Sequence, residues 1–324
     1  MILTLTPNPS VDRTVSLGAP LVPGAVHRVT ATTSQAGGKG VNISRAAVAA
    51  GIPTVAVVPA PADDPFVHEL LRAGIDCRPE PIEGDIRVNL TVTDPAGGTT
   101  KLNSAGPEAT PELLERLQET VVRLAPAADW VVLAGSLPPG CPDSWYAALV
   151  AALQPTGARV AVDTSDAPLT ALVAGLEVAP PHLMKPNGHE LASLTGTDPE
   201  ALEADPARAA AAAGELVQRG VTEVLVTLGG NGAVLVTAAG AWHAAAPPTT
   251  VVSTVGAGDS SLFGYLLADL RGLADPGERL ALSVAYGSAA ASLPGTTIPQ
   301  PSQAQPELVR SHGLAGNLMK PIGR

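Results

Sequence analysis

Ser253-Thr-Val-Gly-Ala-Gly-Asp259-Ser-Ser-Leu-Phe-Gly264 is a glycine-rich turn that runs into a helix with one carboxylate at the junction. Leu262, Phe263, Leu266, Leu267 and Leu270 recur at helical spacing, so the helix starts close to Gly256. Its first backbone N–H groups have no partners within the helix and carry the positive end of the dipole, a setting that suits an anion. Asp259 is then a negative charge set beside an anion site. A proton acceptor held next to a transferring phosphoryl group has that arrangement. The same acid also reads as an ordinary first-turn carboxylate favoured by the dipole, and the segment alone leaves both readings open.

Outward from this turn, strand-like runs at 2–6, 55–58, 130–134, 159–163, 223–227 and 233–237 alternate with helix-like runs. The helical runs fall at 39–50, 65–73, 111–124, 143–153, 206–219, 258–271 and 277–292, the first stopped by Gly51 and Pro53. Such alternation predicts an α/β protein with a mainly parallel sheet covered by helices. Residues 10–33 and 86–103 break the rhythm and read as extended, hairpin-like insertions, which predicts a small separate sheet. Polar residues gather just after the strands: Asn8 and Asp12, Ser136, Asp163 to Ser165, and Thr227 to Gly230. Open α/β sheets bind ligands outside the carboxyl ends of their strands.

Composition narrows the function. The chain has 324 residues, is 45% apolar and carries a net charge of −11, with aromatics at only 2%. Acidity and the shortage of stacking side chains argue against nucleic acid. No run of 18 apolar residues suggests a membrane span. Cys77 and Cys141 form neither a metal pattern nor a disulfide framework, which points to a reducing cytoplasm. Of four lysines, Lys39, Lys101 and Lys185 fall in or beside the motifs, which hints at local anion binding.

Three further motifs each admit two readings. Ala36-Gly-Gly-Lys-Gly-Val-Asn42 opens the first long helix; its glycines permit close backbone approach, Lys39 offsets negative charge and Asn42 can bridge hydroxyls, or the glycines are structural. It is neither a Walker A loop nor a dinucleotide fingerprint. In Lys185-Pro-Asn187-Gly-His-Glu190, the amide and carboxylate share a helix face and could hold a hydrated Mg²⁺, or form a capping box. Thr227-Leu-Gly-Gly-Asn-Gly232 is a phosphate-contacting turn or a plain hairpin. The six histidines show no metal-ligand spacing.

Together these motifs, in this order, resemble the ribokinase-like carbohydrate kinases of the PfkB family to about residue 300. The opening Thr4-Leu-Thr-Pro-Asn-Pro-Ser-Val-Asp12, with Arg87-Val-Asn89, Ala134 to Gly140, Val162-Asp-Thr164 and Leu183 to Asn187, is similar to the branch acting on phosphorylated ketohexoses. The resemblance implies a three-layer α/β/α core from 1–9, 34–85 and 104–324, with a β-sheet lid from 10–33 and 86–103. It implies ATP-dependent phosphorylation of fructose 1-phosphate to fructose 1,6-bisphosphate, with tagatose 6-phosphate or fructose 6-phosphate as alternative acceptors. A catalytically silent sugar-phosphate sensor is the non-enzymatic alternative. Asp259 would be the base and the amides of Gly256, Ala257 and Gly258 the anion hole. Asp12, Gly37, Gly38 and Asn42 would hold sugar hydroxyls. Lys39, Arg87 and Arg28 would take the substrate phosphate, assisted by Ser136, Asn89 and Asn103. Lys185 and the turn Thr227, Leu228, Gly229, Gly230, Asn231 and Gly232 would line the ATP site, with Asn187 and Glu190 reaching Mg²⁺ through water. A homodimer through the lid is implied, with Arg28 reaching a neighbour's site. Asp166 stands where the family commonly has glycine, Ser104-Ala105 departs from the usual pair after Asn103, and the tail from 310 to 324 matches no familiar ending.

Overall fold

The computed structural model describes residues 1–314. Its main sheet is built from β1 (Ile2–Leu5), β4 (Thr54–Pro59), β5 (Asp76–Glu80), β8 (Trp130–Ala134), β9 (Arg159–Asp163), β10 (Leu183–Met184), β11 (Glu223–Thr227), β12 (Ala233–Thr237), β13 (Gly240–Ala245) and β14 (Arg310–Gly313). The order is β14-β13-β12-β11-β10-β9-β8-β1-β4-β5. From β11 to β5 every neighbouring pair is parallel, while β12, β13 and β14 add an antiparallel margin. A separate four-stranded sheet joins β2 (Ser10–Leu17), β3 (Val29–Gly37), β6 (Arg87–Thr93) and β7 (Thr99–Asn103) in the order β3-β2-β6-β7. Its two halves meet through a parallel β2–β6 pair, so the insertions form one sheet rather than two independent hairpins.

Alternation along the strands feeds two cores, because successive side chains point to opposite faces. Val131 and Leu133 of β8 enter one cluster while Trp130, Val132 and Ala134 enter the other; Val224 and Val226 of β11 divide from Leu225 in the same way. The first face is covered by α3 (Pro111–Leu124), α4 (Trp145–Leu153), α5 (Asp166–Ala174), α6 (Gly188–Thr195), α7 (Pro199–Ala204) and α8 (Pro206–Gln218). The second carries α1 (Lys39–Ala49), α2 (Pro65–Arg72), α9 (Ala257–Leu270) and α10 (Pro276–Ala291). This is the three-layer α/β arrangement expected from the sequence. The scarce aromatics are spent on packing: Trp130, Tyr146, Phe263, Tyr265 and Tyr286 are among the largest fully buried side chains. Burial stabilises each by about 1.5–3 kcal/mol.

Several elements escaped the sequence pattern. The helices α5, α6 and α7 were not among the periodic runs, although Asp198-Pro199 is a standard cap-and-proline start and caps α7 through Asp198. At the margin, β13 and β14 hold little apolar periodicity, and β10 spans two residues. The tail segment from 310 to 313 is the edge strand β14, paired with β13; residues 315–324 lie outside the described residues.

Candidate active site

Helix starts in this protein differ in how they are capped. The helices α2, α3, α7, α8 and α10 each begin with Asp or Thr followed by Pro, and the cap side chain accepts a backbone N–H. By contrast α1 and α9 start on Gly38 and Gly256, both at positive φ, with no side-chain cap. Their first N–H groups are therefore left for another acceptor. Ala257 N–H reaches the Thr254 carbonyl at 3.3 Å, a weak bond; the N–H groups of Gly256 and Gly258 have no backbone partner.

Asp259 lies in the first turn of α9 and is 7% exposed. Its Oδ2 accepts from Asn42 Nδ2 at 2.8 Å, across the seam between α9 and α1. Burial is the largest influence and raises its pKa above the usual carboxylate range, aided by Asp163 and opposed by Lys39, Asn42 and Lys185. Asp163, close enough to influence Asp259 through space, has no exposed surface and lies at the end of β9. Lys39 Nζ donates to its Oδ1 at 2.6 Å, and Lys185 Nζ pairs with its Oδ2 at 3.2 Å. Burial works against the ionised form of Asp163, but Lys185 and Lys39 outweigh it and hold the carboxyl below its usual range. Burial likewise opposes the charge on Lys39, and Asp163, then Asp259, more than reverse that, so Lys39 is firmly protonated. A Cβ on Gly258 would sit 3.4 Å from Lys185 Nζ, which puts that ammonium against the first turn of α9.

A second cluster forms where the small sheet meets the core. Asp12 Oδ1 accepts from Ser10 Oγ at 2.8 Å and Asn89 Nδ2 at 3.1 Å. Gly37 lies so close that a Cβ there would be 2.3 Å from Asp12 Oδ2. Arg87 donates to the carbonyls of Asn8 and Ser104 at 3.0 and 3.2 Å, and lies 3.4 Å from Ser136 Oγ. The Oδ1 atoms of Asn42 and Asn89 are buried with no hydrogen-bond partner, the state expected of acceptors kept for a ligand's hydroxyl groups. Asn103 pairs with Asn89 across β6–β7. Arg28 is not brought to this cluster: it precedes Val29, opposite Leu17, roughly 23 Å along β2 from the Ser10–Gly37 pair. Ser136 also lines a cavity of about 420 Å³ with Asp143, Ser165 and Asp166, whose carboxylates disfavour phosphate there. Asp166 is the one non-glycine at positive φ among the described residues (φ 56), a conformation aspartate tolerates better than most.

On the other side of Asp163, β10 delivers Lys185, and Asn187 with Glu190 closes a capping box at the start of α6. Asn187 Oδ1 accepts from Glu190 N and Glu190 Oε2 from Asn187 N, both at 2.8 Å. Thr227 to Gly232 joins β11 to β12 as a hairpin with a short 3₁₀ turn. Leu228 turns its side chain into the core, and Asn231 Nδ2 donates to the Glu203 carbonyl, so the turn can offer a ligand mainly its backbone and Thr227. Gly232 is required, since a Cβ would lie 1.9 Å from the Ala244 carbonyl oxygen.

Sequence reasoning gave Asp163 no role, although its place at a strand end flagged it as polar. It missed Glu69 and Arg45 entirely. Glu69 accepts the Ala36 N–H and Arg45 donates to the Ala36 carbonyl, which pins the chain just before Gly37. No short-range pattern announces a pair that meets only when α1 and α2 pack.

With this geometry in place, comparison with known proteins is informative. The sequence model described as pfkB family carbohydrate kinase matches residues 6–302. A 1-phosphofructokinase from Haloferax volcanii is 38% identical over 92% of this chain and 93% of that protein. One from Xanthomonas campestris is 36% identical over 82% and 83%. Among solved structures, phosphofructokinase-2 from Escherichia coli in complex with potassium superposes with a TM-score of 0.85 at 30% identity, covering 95% of this chain and 97% of that one.

Proposed function

Since the chain belongs to the pfkB family of carbohydrate kinases and is a phosphotransferase acting on a sugar hydroxyl, we propose that it transfers the γ-phosphoryl group of ATP to the C6 hydroxyl of fructose 1-phosphate. The products are fructose 1,6-bisphosphate and ADP. The observation that carries this reading is the buried Asp259, held by Asn42 beside the uncapped start of α9.

In the reaction, the C6 oxygen loses its proton to Asp259 as it bonds to the γ-phosphorus, and the bond to the ADP oxygen breaks. The raised pKa of Asp259 makes it a better proton acceptor than an exposed carboxylate. Charge on the transferring group meets the N–H groups of Gly256 and Gly258, with Ala257 contributing once its 3.3 Å bond to Thr254 yields. Asp12, Gly37, Gly38 and Asn42 orient the sugar. Arg87 and Lys39 hold its phosphate, with Ser136, Asn89 and Asn103 around it. Lys185 and the Thr227–Gly232 backbone receive the nucleotide.

The donor set suits Mg²⁺ held chiefly by phosphates and water. No group of three His, Cys, Asp or Glu side chains able to bind a metal occurs among the described residues, and Glu190, with Asn187, is the nearby carboxylate at the start of α6. Bound there, the ion would neutralise phosphate charge. We also propose a homodimer through the small sheet, where β7 and most of β3 are exposed along with Leu102 and Val29. Such a dimer would give the distant Arg28 a neighbour's site to reach. Two unpaired cysteines agree with a cytoplasmic setting, and among the described residues no helix is long and apolar enough to cross a membrane.

The test is ADP release with fructose 1-phosphate, fructose 6-phosphate, tagatose 6-phosphate and fructose. The highest kcat/KM is expected with fructose 1-phosphate; a different preferred acceptor reassigns the substrate, and no ADP release with any of them leaves the sensor reading.

A further inference from the structure

The active-site reading leaves one buried group without a part in it. Asp163 has no exposed surface, so it cannot touch a ligand, yet both lysines of the site converge on it from different elements. Lys39 comes from the start of α1, on the sugar side, and Lys185 from the end of β10, on the nucleotide side. Two ammonium groups beside the positive end of α9 would repel each other and the helix dipole before any phosphate arrives. A carboxylate between them removes that conflict and fixes where each ammonium waits.

The backbone of Asp163 is itself held. Its carbonyl accepts from Gly135 N–H at 2.9 Å, and the Gly135 carbonyl accepts in turn from Thr164 Oγ1 at 3.1 Å and Tyr146 Oη at 2.9 Å. The contacts to the lysines differ: the one to Lys39 is an aligned hydrogen bond, whereas Oδ2 has an ion pair with Lys185 but no aligned hydrogen bond.

We propose that Asp163 is a positioning residue that clamps Lys39 and Lys185, so that one buried carboxylate sets the sugar-side and nucleotide-side cations relative to the α9 anion hole. The inference rests on the active-site reading above. It makes the two substrate sites share a single support, and it gives Asp163 a second effect through space. The charged and polar groups facing Asp259 are Lys39 and Asn42 from α1, Asp163 from β9 and Lys185 from β10. Removing the Asp163 charge leaves two cations over Asp259, which keeps that base ionised to lower pH.

The experiment compares Asp163→Asn and Asp163→Glu with the unaltered protein for kcat, both KM values, the acid limb of the kcat–pH profile and thermal unfolding. Asp163→Asn is expected to lower kcat about 10²-fold, the usual effect of misplacing a site by about 1 Å. It should raise KM for both ATP and the sugar phosphate, and move the acid limb to lower pH. Asp163→Glu keeps the charge, so its acid limb should stay in place while both KM values rise. A folded Asp163→Asn with an unmoved acid limb overturns the proposal, as does a rise in only one KM in either variant. If Asp163→Asn does not fold, Asp163→Glu decides through the same KM criterion. An Asp259→Asn enzyme as active as the original would instead refute the active-site reading, whatever Asp163 does.

Discussion

Replacing Asp259 by asparagine removes a negative charge and almost nothing else. The amide has the same shape, and its oxygen can still accept from Asn42, 2.8 Å away. A positioned general base contributes about 10²–10⁴ in rate, so kcat should fall by that factor, or about 2.7–5.5 kcal/mol of barrier. KM for the sugar phosphate should change little, since the sugar-side contacts of Asp12, Asn89 and Arg87 are untouched. Stability should hold or rise. Burial has raised the pKa of Asp259, which means the fold disfavours its ionised form at neutral pH, and a neutral amide avoids that cost. A coupled ADP-release assay with thermal melting on the same samples reads both effects. Turnover within a few-fold of the original, in a protein that melts normally, would refute the assignment of Asp259 as base. Low turnover with a melting temperature well below the original would instead refute the claim that only charge was removed.

Arg87→Ala should raise KM for fructose 1-phosphate at least tenfold with a small change in kcat, since its loss takes a charge-assisted phosphate contact of about 1.5–3 kcal/mol; an unchanged KM would remove it from the phosphate site. Gly232→Ala should cost at least about 1–3 kcal/mol of stability from its positive φ alone, with the 1.9 Å approach to the Ala244 carbonyl adding to it, as read by urea unfolding. Below its native range, kcat should fall as pH drops through the raised pKa of Asp259, so the acid limb should lie above the ordinary carboxylate value of 3.8; a limb at or below that value would contradict the burial argument. Stability responds to Asp163 with the opposite sign: its pKa is depressed, so its contribution is present above 3.8 and lost as pH falls through the lower folded value, and Asp163→Asn should flatten acid unfolding in that window.

Much of this protein is written in short-range patterns. The α9 turn announces itself because a glycine start, an acid and leucines at helical spacing occupy one contiguous stretch. The main strands and most helices follow from alternation and periodicity, which depend on neighbours a few residues apart. Asn187 and Glu190 are similar: three residues apart, they form the capping box that spacing alone allows. The same local information also offered two readings for Asp259, and it could not choose between them.

Long-range packing supplies the surroundings that local sequence lacks. Asp259 meets Asn42 across 217 residues, and Lys39 meets Asp163 across 124, so neither contact has a local signature. Parallel strands bring those residues to one edge because each crossover returns the chain to the same end of the sheet. The same physics keeps Arg28 away from the Asp12 cluster, since β2 carries the chain away from the core before β3 returns it. Sequence determined which chemistry was present and roughly where each element begins. Only the tertiary structure decided that Asp259 is buried, which cations face it, and that a second carboxylate, Asp163, pairs with those cations, because burial and charge are set by what packs around a residue rather than by its neighbours in the chain.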